Sequence, residues 1–373
     1  MSAPLEGVKV VELARILAGP WAGQVLADLG AEVIKVEAPE GDDTRRWGPP
    51  FISREGDGPE GRSAAYFHAT NRGKHSVIAD FRTPEGQKIV RDLVADADVV
   101  IENFKLGGLK KYGLDYDSLS ALNPRLVYCS ITGFGQDGPY ASRAGYDFLI
   151  QGMAGWMDLT GDPQGEPQKV GVAFADIFTG LYAVIGIQAA LAARIRTGRG
   201  QLVDMALLDC AVGVLANQGM NYLATGSAPH RLGNAHPNIA PYEVISAADG
   251  DLILAVGNDG QFARLCAVLG LNLANQPDFA TNEARVANRA ALRAILLPEL
   301  ATWPRDNLLA ALETATVPAG PINTLDQVFA NPQVQARQMR IEANGIAGIR
   351  TPIVLSDTPL ADPRPAPKLP SSS

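Results

Sequence analysis

Between Val8 and Ile131, short β-branched runs alternate with helix-like stretches, and no other feature of this sequence constrains its fold so tightly. The runs fall at residues 8–13, 32–36, 76–78, 99–102 and 126–131. Residues 20–29 read as a helix closed by Gly30. Residues 85–95 read as another, with Thr83 placed to cap it and Pro84 at its first position. Strand, helix and strand repeated at this spacing predict right-handed βαβ units and a mostly parallel, doubly wound α/β sheet. Such sheets bind ligands beyond the carboxyl ends of their strands. The turn after the first run, Ala14-Arg15-Ile16-Leu17-Ala18-Gly19-Pro20-Trp21-Ala22-Gly23, lacks the Gly-x-Gly-x-x-Gly spacing that admits a pyrophosphate. A nicotinamide dehydrogenase is therefore disfavoured.

At 373 residues the chain suits one large or two modest domains, and 46% hydrophobic with 19% charged residues marks it as globular. The formal net charge of −8 argues against nucleic acid or an anionic membrane as the main partner, so an anionic ligand would need a local basic patch. Cys129, Cys210 and Cys266 lie far apart without metal-ligand spacing, and a reducing, cytoplasmic compartment is expected. Met1-Ser2-Ala3-Pro4-Leu5-Glu6 shows no basic region followed by an apolar stretch, so no signal peptide is expected. Residues 177–193 are almost wholly apolar but fall short of a span of about 20 and include Thr179 and Gln188, which favours a buried core helix over a membrane helix.

Residues 40–62 are rich in Gly, Pro and charge and read as a surface excursion, and residues 133–170 as turn-rich. The long apolar helix should end near Thr197-Gly198-Arg199-Gly200, with a second apolar helix over 205–223. A composition shift around 226–241 suggests a boundary between a large domain over 1–225 and a small one over 226–325. In the latter, strands are expected at 242–245 and 252–256 and helices at 261–269 and 289–300. The Pro-rich tail, 352–373, should be extended.

Three groups of residues could carry chemistry. Asp176 is the only charged residue between Lys169 and Arg194. From position alone it reads first as an N-cap for the apolar helix; the functional reading, which does not exclude the cap, is a carboxylate among small residues that a substrate could approach. Arg15, Lys74, Arg82, Lys105, Lys110 and Lys111 lie on or just beyond predicted strand ends, where a phosphate ligand would need them, or are solvated surface charges. Asn103-Phe104 follows the fourth run and could pack on an adenine or simply turn the chain. The loop Gly233-Asn234-Ala235-His236-Pro237-Asn238 has small residues that would leave backbone N–H groups open to a carboxylate or oxyanion.

At these residues the chain resembles the class III coenzyme A transferases, the group of formyl-CoA transferase and the CaiB/BaiF-type enzymes. The resemblance runs from Leu5 to about Pro365. Its pieces are Gly7-Val8-Lys9-Val10-Val11-Glu12-Leu13, Ala18-Gly19-Pro20, Leu29-Gly30-Ala31-Glu32-Val33-Ile34-Lys35-Val36-Glu37 and Asn71-Arg72-Gly73-Lys74. Further along come Glu102-Asn103-Phe104, Gly133-Phe134-Gly135, Gly145-Tyr146-Asp147, Asp176 and Thr197-Gly198-Arg199-Gly200-Gln201. The resemblance implies a Rossmann-like large domain built from both chain ends, with 326–373 returning to it, a smaller α+β domain between, and an interlocked homodimer. It implies an acyl-CoA and a small carboxylic acid as partners, with the coenzyme A thioester a substrate and no permanently bound cofactor or metal. Asp176 would be the nucleophile, passing through an aspartyl anhydride and an aspartyl-CoA thioester.

Carried over residue by residue, the CoA contacts would be Arg15, Leu17, Ala18, Lys74, Ala79, Arg82, Asn103, Phe104, Lys105, Lys111, Ala144, Tyr146 and Asp147. Gly233, Asn234, His236 and Asn238 would form the substrate loop. That loop has His236-Pro237-Asn238 where formyl-CoA transferase has glycines, and Ala38 stands where that enzyme has arginine, which argues against formyl-CoA and oxalate as substrates. Succinyl-CoA and a dicarboxylic acid are expected instead, with Arg72, Arg231 and Lys169 as candidates for the second carboxylate. A 2-methylacyl-CoA racemase is the alternative within the family. Its histidine aligns with Tyr146, whose reference pKa near 10 makes it a poor proton carrier. A CoA-binding protein without turnover is the alternative outside it.

Overall fold

The β-branched runs become strands of one parallel sheet in the computed structural model, which describes residues 2–370. In chain order the molecule begins with β1 (Lys9–Glu12), α1 (Ala18–Asp28), β2 (Glu32–Glu37), a hairpin of β3 (Phe51–Ser53) and β4 (Arg62–Ala64), and α2 (Ala65–Thr70). It continues with β5 (His75–Ile78), α3 (Pro84–Val94), β6 (Val99–Glu102), α4 (Tyr116–Leu122) and β7 (Val127–Thr132). Then come α5 (Asp147–Met153), α6 (Trp156–Leu159), α7 (Phe174–Thr197), β8 (Leu202–Ala206), α8 (Leu207–Gly213) and α9 (Ala216–Thr225). The sheet order is β5-β2-β1-β6-β7-β8 and every pairing is parallel. The order reverses between β1 and β6, which opens a crevice at the carboxyl ends of those strands.

Local chemistry accounts for the elements that frame this crevice. The Thr83 hydroxyl accepts from the Gly86 N–H at 3.1 Å, and Pro84 opens α3. Val90 and Val94 of that helix then pack with Val11, Leu13, Val36 and Val100 of the sheet. Gly30 follows α1 and Gly198 ends α7 in the left-handed region, where a side chain would be strained.

Four sequence expectations are corrected. Residues 205–223 are not one helix: Met205 and Ala206 end β8, the last strand of the sheet, and the helical part breaks into α8 and α9. Leu202–Ala206 is short, shows no apolar/polar alternation in sequence and runs straight into an apolar helix, so periodicity does not separate them. Residues 40–62 are not simply surface: Asp42, Thr44, Arg45 and Asp57 are buried because their charges and dipoles satisfy one another. Residues 133–170 include α5 and α6. The helix expected to be core is buried on one face only, through Ala175, Thr179, Gly180, Ala183, Val184, Ile187 and Ala190, while Leu181, Tyr182, Ile185 and Ile195 are exposed. Among the described residues it is the one helix long and apolar enough to cross a membrane, by length and composition.

The chain divides into two compact units. The first comprises the described residues of Met1–Ala154, Val170–Leu215 and Pro332–Ser373. Within it the tail is held in extended form: Gly73 N–H donates to Arg364 O, Arg54 to Ala366 O at 2.7 Å, and Leu369 N–H to Asp57 at 3.0 Å. Residues 371–373 of the Pro-rich tail lie outside the described residues. The second unit comprises Gly155–Lys169 and Ala216–Asn331, so the change of unit comes before the composition shift at 226–241. It holds an antiparallel sheet of β9 (Tyr242–Ala247), β10 (Gly250–Ala255) and β11 (Ala319–Pro321), in the order β11-β10-β9. Helices at Asp259–Leu269, Arg289–Leu300 and Arg305–Thr314 cover it with a core that includes Phe262, Leu265, Leu292, Leu296 and Leu308.

Candidate active site

The turn after β1 sets the floor of the site. Ile16 has φ +73, a conformation that β-branched residues avoid, so the turn must be held from outside. Asn103, at the end of β6, holds it: its Oδ1 accepts from Arg15 N–H at 2.9 Å and its Nδ2 donates to Arg15 O at 2.7 Å. The chain then enters α1, which lies close against α7. A Cβ on Gly180 would sit 2.7 Å from Ala18 O and 3.1 Å from Trp21 Cδ1. This approach brings the Ala18 N–H to the side of the Asp176 carboxylate, one turn before Gly180, where it favours the anion. Glycine contact also shapes the opposite wall, since a Cβ on Gly133 would meet Gly145 Cα at 2.6 Å.

These turns enclose a cavity of about 650 Å³ at the carboxyl ends of β1, β2, β5, β6 and β7. Arg15, Leu17, Ala18, Ala79, Arg82, Asn103, Phe104, Lys105, Lys111, Ala144, Tyr146 and Asp176 all line it. Sequence reasoning missed Arg143, Tyr112 and Leu207, which line it as well. Arg143 directly precedes the Ala144–Asp147 segment, but no spacing rule announces it. Arg15 pairs with Asp43 at 3.0 Å and Arg82 with Asp80 at 2.8 Å. Among the described residues Lys105, Lys111 and Arg143 pair with no carboxylate; Lys111 and Arg143 lie over the rings of Tyr112 and Tyr140. Phe81 packs edge-on against both Phe104 and Tyr112, giving an aromatic patch on the same wall.

The structure separates the two readings of Asp176. The residue before α7 is Ala173, which offers no side-chain cap, and Asp176 lies within the first turn. The cap comes from Asp147 instead, whose Oδ1 accepts from Ala175 N–H at 2.9 Å. Asp176 thus faces the cavity, half-buried. Burial first, and then the charge of Asp147, push its carboxyl up to about 7, against the Ala18 N–H that favours the anion.

Several expected site residues are elsewhere. Lys74 does not line the cavity. Its ammonium is buried between Glu12 at 2.7 Å, Pro20 O at 2.8 Å and Asn71 Oδ1 at 2.9 Å, so it cannot meet a ligand phosphate. Glu12 also holds Lys35 at 3.1 Å, and Lys35 pairs with Asp42 at 2.9 Å, so one buried charge network supports the turn that follows β1. Asp147 lies behind Asp176 rather than on the cavity wall. Arg72 is buried and forked onto Asp28, which removes it as a cation for a second carboxylate.

Arg231 and Lys169 belong to the second unit, where Arg231 pairs with Asp158 at 3.0 Å. The Gly233–Asn238 loop is there too, and its backbone is less open than its composition suggests. The N–H groups of Gly233, Ala235 and His236 donate to Gly161, Leu232 and Tyr242 carbonyls, and that of Asn238 to His236 Nδ1 at 3.1 Å. Arg289 gathers the His236 carbonyl at 2.6 Å, and Asn238 Oδ1 accepts from Asn217 and Asn221. What the loop offers a ligand is therefore side chains more than N–H groups.

The chain that carries this sheet and cavity is similar to known proteins along nearly its whole length. The sequence profile of CoA-transferase family III covers residues 5–372. The chain is 62% identical to succinate–glutarate CoA-transferase of Agrobacterium fabrum, covering 98% of this chain and 93% of that protein. It is 40% identical to human succinyl-CoA:glutarate CoA-transferase, covering 98% and 83%. The crystal structure of a CaiB/BaiF family protein from Brucella suis superposes with a TM-score of 0.89 at 66% identity, over 100% of this chain and 97% of that one. The chain belongs to CoA-transferase family III and is a coenzyme A transferase.

Proposed function

We propose that this transferase moves coenzyme A from succinyl-CoA to glutarate or a similar dicarboxylic acid, with Asp176 as the nucleophile. The observation that carries the proposal is the Asp176 carboxylate on the wall of a cavity where, among the described residues, three cations pair with no carboxylate. Lys105, Lys111 and Arg143 are suited to the phosphates of coenzyme A, and the Phe81, Phe104 and Tyr112 patch to its adenine. The succinyl and glutaryl identities are supported by the names of the relatives.

The reaction needs no net proton. The Asp176 carboxylate attacks the thioester carbonyl and expels CoA thiolate, leaving a succinyl-aspartyl anhydride. The thiolate attacks the aspartyl carbonyl, succinate departs, and an aspartyl-CoA thioester remains. Glutarate then attacks that thioester to form a glutaryl-aspartyl anhydride, and the released thiolate takes the glutaryl group, restoring Asp176. Each step is an acyl transfer between groups of similar reactivity, which is the advantage of a covalent route.

Mixing the protein with succinyl-CoA and quenching with hydroxylamine should give a hydroxamate at Asp176 by peptide mass spectrometry. An unmodified Asp176 with succinyl-CoA and with a panel of other acyl-CoAs would overturn the nucleophile assignment. The exposed apolar face of α7, with Leu181, Tyr182, Ile185 and Ile195, supports the further reading that the chain works as a homodimer. Sedimentation equilibrium should return twice the chain mass. A fully active monomer at assay concentration would sink that reading.

A further inference from the structure

Asp147 is a carboxylate close behind Asp176, off the cavity wall, and has no part in the acyl transfers. Its two oxygens are both used. Oδ1 accepts from Ala175 N–H at 2.9 Å, and Oδ2 accepts from Gln151 Nε2 at 2.7 Å. Gln151, fully buried, accepts from Val170 N–H at 2.9 Å through its own Oε1. Asp147 and Gln151, one turn apart on α5, therefore grip the chain at Val170 and Ala175, either side of the bend that leads into α7. That grip ends one residue before Asp176.

We infer that Asp147 is a positioning residue for the transfer reaction: it fixes the first turn of α7 and keeps a second negative charge beside the Asp176 carboxylate until acylation neutralises it. The inference rests on the reading that Asp176 is the nucleophile. Like charges in a half-buried site destabilise the free carboxylate. They do not destabilise the anhydride or the thioester, in which Asp176 is uncharged. Asp147 thus raises the ground state of the nucleophile relative to the covalent intermediates, and a more basic carboxylate attacks a thioester faster.

Other elements packed around Asp176 do not supply this effect. From α2, Tyr66 is pushed up to about 12 by burial and then by Asp176 and Asp147, so it stays neutral. From α1 comes the Ala18 N–H, which acts in the opposite sense and favours the anion. On α8, burial raises the Cys210 thiol, against the opposing effect of Thr179, so it stays neutral; its neighbour Asp209 adds in the same direction.

The test compares the wild type with Asp147→Asn, which keeps an oxygen for the Ala175 N–H but removes the charge and the acceptor for Gln151 Nε2, and with Asp147→Ala, which removes the remaining oxygen as well. The Asp176 carboxyl is titrated directly by carbon-13 NMR, assigned with Asp176→Asn. In parallel, the pH profile of CoA release in a single turnover with succinyl-CoA is measured. In the wild type, acylation should fall tenfold per unit as pH drops through about 7, because the carboxylate is the reacting form.

In Asp147→Asn both profiles should move down by about one unit or more, and the plateau rate at high pH should fall roughly threefold. Asp147→Ala should show the same shift together with a lower melting temperature. Coincident profiles for wild type and Asp147→Asn would overturn the proposal, whatever happens to stability. A shifted NMR titration with no hydroxamate at Asp176 in the wild type would instead overturn the nucleophile reading on which the rate effect rests. If Asp147→Ala does not fold, Asp147→Asn carries the comparison alone.

Discussion

Replacing Asp176 by asparagine should abolish transfer while making the protein more stable. The amide is close in shape but cannot form an anhydride, so kcat should fall by about 10⁴-fold or more, as when a covalent nucleophile is removed elsewhere. The stability change has the opposite sign for a separate reason. The folded protein holds the Asp176 carboxyl at about 7, above its unfolded value, so the folded state binds its proton more tightly than the unfolded state does. Ionised Asp176 therefore costs stability. The cost is absent below the unfolded pKa, grows as pH rises towards about 7, and is constant above it. At pH 8 the Asp176→Asn protein should be more stable by on the order of 2 kcal/mol, a few degrees in melting temperature, and the difference should vanish near pH 4. Thermal melts at the two pH values measure this directly. An inactive variant that is also less stable at pH 8 would mean that Asp176 holds the structure rather than serving the reaction.

Lys74→Met should do the reverse, unfolding the protein rather than weakening its grip on coenzyme A. Lys74 is buried against Glu12, Asn71 and Pro20 O, and burial, against the attraction of Glu12, takes its ammonium down to about 8. Removing it leaves Glu12, fully buried, with Lys35 as its remaining ion-pair partner. Breaking a buried pair from one side costs about 3–5 kcal/mol, which corresponds to a fall of roughly 10 °C in melting temperature. The double variant Glu12→Gln/Lys74→Met should recover part of that loss, because no charge is then stranded. A Lys74→Met protein with an unchanged melting temperature and a raised KM for acyl-CoA would place the lysine at the ligand after all.

These two residues show how much of the site the sequence carried. Asp176 stands out as a lone charge in an apolar stretch, and that much is visible without coordinates. Whether it caps the helix or faces a ligand is not, because an Asp in the first turn serves both roles in sequence. Only the packing shows that Asp147 takes the cap position from a different helix and that Asp176 lines the cavity. Lys74 shows the converse error. A lysine just before a strand reads like a phosphate ligand, and nothing local reveals the carboxylate of Glu12 waiting beneath it. The same blindness made Arg45 and Asp57 look like surface charges and Arg72 like a substrate cation.

By itself the sequence determined the parallel α/β sheet, because β-branched runs, helix caps and terminating glycines act over a few neighbouring residues and repeat in a legible period. Pieces of the chain also fixed the family, since their order and spacing survive without any knowledge of contacts. Tertiary structure alone decided which charges are partners and which remain for a ligand. Charge pairing depends on distances between residues far apart in the chain, such as Glu12 with Lys74 and Asp28 with Arg72. Those distances are set by how the strands and helices pack, and no local pattern contains them.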